Sequence, residues 1–108
     1  MTTDAVGGVW TYSLDLAAVL GRLGVQTTLA ELGPGPTRDQ LEAARAITGL
    51  DLIQLELPLD WTAQNSAELR RTAQAVADLA RRVRADVVHL NSPTLAAYAD
   101  FGAPVVGA

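Results

Sequence analysis

Ala5-Val6-Gly7-Gly8-Val9-Trp10-Thr11-Tyr12 decides how this chain folds. It separates a short opening strand, residues 1–4, from an apolar-periodic segment that runs to about Leu23. The turn carries no Ser, Thr, Asn or Asp to cap the helix behind it. A helix start leaves several backbone N–H groups without partners, and a capping side chain normally takes one or two of them. Gly7 and Gly8 instead allow backbone and ligand to approach closely, with free donors at the positive end of a helix dipole. That arrangement suits an anion. A plainer reading stands beside it, a tight strand-to-helix turn that needs glycine for its dihedrals alone. Two adjacent glycines do not choose between the two.

Composition narrows the classes. At 108 residues the chain is one domain with room for a modest core. Hydrophobic residues make up 49% and charged ones 19%, which is the balance of a globular protein rather than a disordered one. No apolar run approaches the roughly 20 residues needed to cross a bilayer. No basic start followed by an apolar core marks a signal peptide. Without cysteine there is no disulfide framework and no thiolate metal site. These features predict a cytoplasmic protein. A net charge of −4 argues against non-specific nucleic-acid binding. The basic residues are all arginine.

Outward from the glycine turn, two periodicities alternate. Tyr12, Leu16, Val19 and Leu23 fall at helical spacing, and Trp10, Leu14 and Ala17 widen that apolar face. Gly24 stands where a left-handed cap ends a helix. Residues 25–31 (VQTTLAE) read as a strand, and Gly33-Pro34-Gly35-Pro36 as a loop. Thr37-Arg38-Asp39-Gln40 is a capping box that opens a short helix with Leu41, Ala44 and Ile47 inward. Residues 50–55 (LDLIQL) form the next strand, and Pro58 takes the chain out of the sheet. Asn65 and Glu68 form a second capping box, ahead of a stripe of Leu69, Ala73, Val76, Ala80 and Val83. The arginines on that helix read as a solvated face. Residues 86–91 (DVVHLN) are apolar enough for a strand buried on both faces. Ser92-Pro93 opens a helix through Ala99, and residues 104–108 begin a further strand.

Strands that alternate with helices make a parallel sheet covered on both faces, with right-handed crossovers. The expected fold is α/β, a Rossmann-like three-layer α/β/α sandwich with about five parallel strands in the order 3-2-1-4-5. Ligands in such sheets lie beyond the carboxyl ends of the strands, where the strand order reverses. Residues 4–8 and 91–93 are therefore expected to face each other across one cleft.

Three stretches together resemble a known family: residues 3–12 (TDAVGGVWTY), residues 57–61 (LPLDW) and residues 86–93 (DVVHLNSP). They are similar to the N-terminal domain of glycosyltransferase family 4, retaining enzymes with the two-domain GT-B fold. The resemblance runs through essentially the whole chain. It implies a role in moving a sugar from a nucleotide-sugar donor to an acceptor, with no cofactor and no metal. It places Gly7, Gly8 and the adjoining Val9 near the donor diphosphate and the acceptor, and it puts Asn91 and Ser92 on the acceptor side. Two departures accompany it. The chain ends at Ala108, short of a segment that bears a histidine near the donor sugar, and the C-terminal nucleotide-sugar domain is absent. The chain is thus expected to be a fragment, residues 1–108 forming one truncated domain that is inactive on its own.

Individual residues carry two readings each. His89 is a neutral core histidine bonded to backbone, or a group near the cleft two positions from the strand end. Asp4 orients a sugar hydroxyl or stabilises the glycine turn. Trp10 packs in the core or stacks on a sugar. Trp61 anchors its loop. One histidine without a second nitrogen ligand nearby makes a poor metal site. Two other functions use the same pattern: a stand-alone phosphate- or nucleotide-binding module of flavodoxin-like form, and an interaction domain like a response regulator. The second lacks the acidic cluster and the lysine that it needs.

Overall fold

The computed structural model describes residues 1–58 and 65–107. Strands and helices alternate: β1 (Thr2–Asp4), α1 (Gly8–Arg22), β2 (Thr27–Leu32), α2 (Arg38–Arg45), β3 (Leu50–Gln54), α3 (Ser66–Arg82), β4 (Val88–Leu90) and β5 (Val105–Gly107). A 3-10 helix, Pro93–Ala97, joins the last two strands where an α-helix to Ala99 was expected. Expectations for Asp60 and Trp61 lie outside the described residues.

Local chemistry sets the helix ends. Thr37 Oγ1 accepts from the Gln40 N–H, and Gln40 Oε1 accepts from the Thr37 N–H at 2.8 Å, which is the reciprocal box. Asn65 Oδ1 accepts from the Glu68 N–H at 3.0 Å. Gly24 has φ +81°, the left-handed geometry that ends α1.

All strand pairs are parallel. β1 pairs with β2 (Thr2 beside Ala30), β2 with β3 (Thr27 beside Leu50), and β4 with β5 (Val88 beside Val105). The two ladders run 3-2-1 and 4-5. β4 lies next to β1, in keeping with the expected order, but side chains rather than a backbone ladder join them. The Asn91 N–H donates to Thr2 Oγ1 at 2.9 Å, and Asn91 Nδ2 donates to the Thr2 carbonyl at 2.8 Å. With β1 only three residues long, these bonds take the place of strand pairing.

The sheet has helices on both faces. Trp10 and Leu14 of α1, Leu29 of β2 and Ala44 of α2 make one core. Leu32 of β2, Val88 and Leu90 of β4, and Ala73, Val76, Ala77 and Ala80 of α3 make the other, closed by Leu95 and Phe101. This is the α/β/α layering of a Rossmann-like domain.

Helix α1 is rotated from the expected face. Its buried residues are Trp10, Ser13, Leu14 and Ala17, whereas Tyr12, Val19 and Leu23 are exposed. Ser13 explains the difference, because its hydroxyl donates to Thr3 Oγ1 at 2.9 Å and so satisfies a polar group on the core face. A reading by hydropathy turns the helix away from that serine. Val83 and Val87, expected inside, are also exposed. Both line a cavity at the amino ends of β2 and β4.

Candidate functional site

The carboxyl ends of β1 and β2, the start of α1 and the loop after β4 converge on one end of the sheet. Asp4 closes β1, and its Oδ1 accepts from the N–H groups of Val6 at 3.0 Å and Gly7 at 3.2 Å. The Gly7 amide is therefore already engaged, so Asp4 folds the turn back on itself. From the other side, Gln40 Nε2 donates to the Ala5 carbonyl at 3.0 Å. One capping residue of α2 thus also pins the turn before α1.

Gly7 is the N-cap of α1, with φ −134°, and no side chain caps the helix. That backbone is open to any residue. Neither Gly7 nor Gly8 is among the glycines with positive φ, and a Cβ added at either position meets nothing within 4 Å. Neither dihedral strain nor packing within the described residues calls for glycine here. Among the described residues no side chain accepts from the N–H groups of Gly8 and Val9, which begin the helix.

Asn91 fastens the facing loop. Besides its bonds to Thr2, its Nδ2 reaches Ser13 Oγ at 3.3 Å, which in turn bonds Thr3. Asn91, Ser13, Thr2 and Thr3 form one network that ties β4, β1 and α1 together. Ser92 is half-buried, and its side chain does not cap the 3-10 helix that follows. The Asn91 loop is thus joined to β1 and to Ser13 of α1, the two elements that flank the glycine turn. The side chain of Asn91, however, is held within the chain.

Trp10 is only 6% exposed and packs in the α1 core with Leu14, Leu29 and Ala44. His89 is half-buried, with its ring centroid 6.1 Å from that of Tyr12. Its Nε2 is buried and has no hydrogen-bond partner among the described residues.

One residue of this end escaped the sequence reading. Glu31, near the end of β2, is 1% exposed, and its Oε1 is buried without a hydrogen-bond partner among the described residues. Burial, and then the nearby charge of Asp4, push its carboxyl up to about 7. It sits beside Thr3 in the β1–β2 register. The available signal was positional: Glu31 shares a strand face with the core residue Leu29. Among the described residues no three His, Asp or Glu side chains are grouped to hold a metal ion. No helix among them is long and apolar enough to cross a membrane.

A parallel α/β layer structure with helices on both faces of its strands defines a Rossmann-like domain. The glycosyl transferase 4-like domain matches residues 7–107. The chain belongs to that family. Its β1–α1 turn, both cores and the β4 loop all fall within the matched span, apart from β1 itself and the first residues of the turn. No curated protein and no solved structure matches the chain.

Proposed function

We propose that this chain forms the acceptor-side half of a retaining GT-B glycosyltransferase, with the nucleotide-sugar contacts supplied by a second domain. The reaction moves a hexose from a nucleotide-sugar donor to an acceptor hydroxyl in the cytoplasm. The cleft lies over the carboxyl ends of β1 and β4.

The bareness of Gly7 and Gly8 carries this reading. Their backbone is uncrowded and unstrained, so the missing side chains leave space against the first amides of α1. A ligand that lies along that surface meets the Gly8 and Val9 N–H groups at the positive end of the helix. Asp4 spends one oxygen on the turn and keeps the other for a sugar hydroxyl. Glu31, poised near neutrality, adds a second carboxyl behind it. Two acidic groups beside the turn favour a hydroxyl-rich acceptor over a bare phosphate at this spot. Asn91 serves by fixing the loop, which leaves Ser92 to line the acceptor side. His89 stands one step further in.

The test is sugar transfer by the complete enzyme carrying Gly8→Ala, measured beside its thermal melt. A methyl group on the ligand side displaces the reacting groups, and a shift of about 1 Å costs on the order of a hundredfold in rate. The melt stays at or above that of the wild type. Normal transfer per folded molecule would return the turn to a purely structural role.

A further inference from the structure

The amino ends of the strands enclose a cavity of about 610 Å³. One long wall is residues 25–28, which lead into β2, and the opposite wall is residues 86–89, which lead into β4. Leu16 and Leu20 of α1 close one face, and Val76 and Leu79 of α3, with Val83 just past its end, close the other.

Both long walls offer backbone. In a parallel ladder alternate residues bond to opposite neighbours. The Thr27 N–H goes outward to the Gly49 carbonyl at 2.8 Å, whereas the Ala30 N–H goes to the Met1 carbonyl at 2.8 Å. The even-numbered residues of this strand therefore bond toward β1, and Thr28 N–H and the Gln26 carbonyl point at the cavity. Across from them, the Val88 N–H goes outward to the Pro104 carbonyl at 2.9 Å. By the same alternation Val87 and His89 present their backbone to the cavity.

The register of β1 aims at this space. Thr2 lies beside Ala30, so the positions opposite residues 25–28 are the four that continue β1 backward past Met1. The Met1 amine sits at the entrance and donates to the Thr28 carbonyl at 2.9 Å, as a strand amide would. Burial lowers the pKa of that amine, so the site disfavours the charge that an amide would not carry.

We propose that this cavity is an open strand position that accepts a four-residue, extended, apolar segment joined to Met1. The segment lies in line with β1, between β2 and β4 and parallel to both. Its alternate side chains meet Leu16 and Leu20 above and Val76, Leu79 and Val83 below, the surroundings of a central parallel strand. It also covers Val25, Val83 and Val87, which are 43–55% exposed at the cavity mouth, and it joins the 3-2-1 and 4-5 ladders into one sheet.

The experiment compares three chains: the protein as it stands, one with Val-Ile-Leu-Val fused ahead of Met1, and one with Asp-Ser-Asp-Ser there. The apolar extension alone raises Tm, by on the order of 10 °C for a domain of this size. It also slows hydrogen exchange at the amides of Thr28 and His89. A cooperative melt gained only with the apolar extension supports the proposal as well. An apolar extension without effect, or one matched by the acidic extension, overturns it, as does the absence of a cooperative melt in all three. A dimer of the unextended chain that persists unchanged with the apolar extension overturns it too, since a second copy would then fill the slot.

Discussion

Helix α1 has one glycine at its start and another near its end, and the two do opposite things. At Gly8 an added Cβ meets nothing within 4 Å, whereas at Gly21 it comes to 2.5 Å from the Thr48 carbonyl oxygen. Gly21 is glycine because α1 presses against the loop between α2 and β3. Gly8 faces open space at the carboxyl edge of the sheet. The same contrast separates the two ends of the domain. The carboxyl end is polar, held by Asp4, Gln40 and Asn91, and contains a buried acid, Glu31, whose Oε1 has no hydrogen-bond partner among the described residues. The amino end is apolar and encloses a cavity. One residue type thus reports packing at one end and access at the other, and only its surroundings tell which.

The largest expected effect on stability tests the polar end. Glu31 has its carboxyl raised from 4.5 to about 7, so the folded state holds a proton that the unfolded chain releases earlier. Stability is full below pH 4.5, falls as pH rises toward 7, and is level above that. Glu31→Gln removes this slope and raises stability at pH 8 by on the order of 2–3 kcal/mol. Denaturant midpoints at pH 4.5 and pH 8 measure it. An unchanged slope in the variant would show that Glu31 is not the buried acid responsible.

Gly21→Ala tests the packed end. Backbone atoms oppose the new methyl, so the helix must shift, at a cost of about 1–3 kcal/mol. A thermal melt that is unaltered would erase the contrast with Gly8.

Asn65→Ala removes the acceptor for the Glu68 N–H at the start of α3. It lowers stability by about 0.5–2 kcal/mol without touching either end of the sheet. A denaturation midpoint equal to the wild type's would mean that the bond contributes nothing.

Gly8→Ala is the smallest and has the opposite sign. With space free and helical backbone, alanine stabilises by about 0.4–1 kcal/mol. A lower Tm would mean that the position is constrained after all, and the argument for access would lose its basis.

Much of this was legible in the chain. The capping box at Thr37 and the N-cap bond at Asn65 are local, since donor and acceptor sit three residues apart, and both bonds to the helix amides form as spaced. The alternation of strands and helices, the left-handed Gly24 and the placing of β4 beside β1 follow from short-range signals and parallel topology. Apart from residues 3–6, the motifs that carried the family resemblance fall within the span that the glycosyl transferase 4-like domain matches.

Tertiary contact decided the rest. The sequence could not say which stripe of α1 faces the sheet, because Ser13 becomes a core residue only when Thr3 and Asn91 arrive to satisfy it. It could not say that Asp4 binds the turn amides, that Glu31 Oε1 is buried without a hydrogen-bond partner among the described residues, or that β1 and β4 meet through an asparagine instead of a ladder. It also read Val83 and Val87 as core, although both are exposed and border the cavity. Hydropathy and spacing fix what a residue prefers within a few positions of itself. Burial, rotation about a helix axis and the space beside a glycine depend on groups brought from far along the chain, and only the assembled fold determines them.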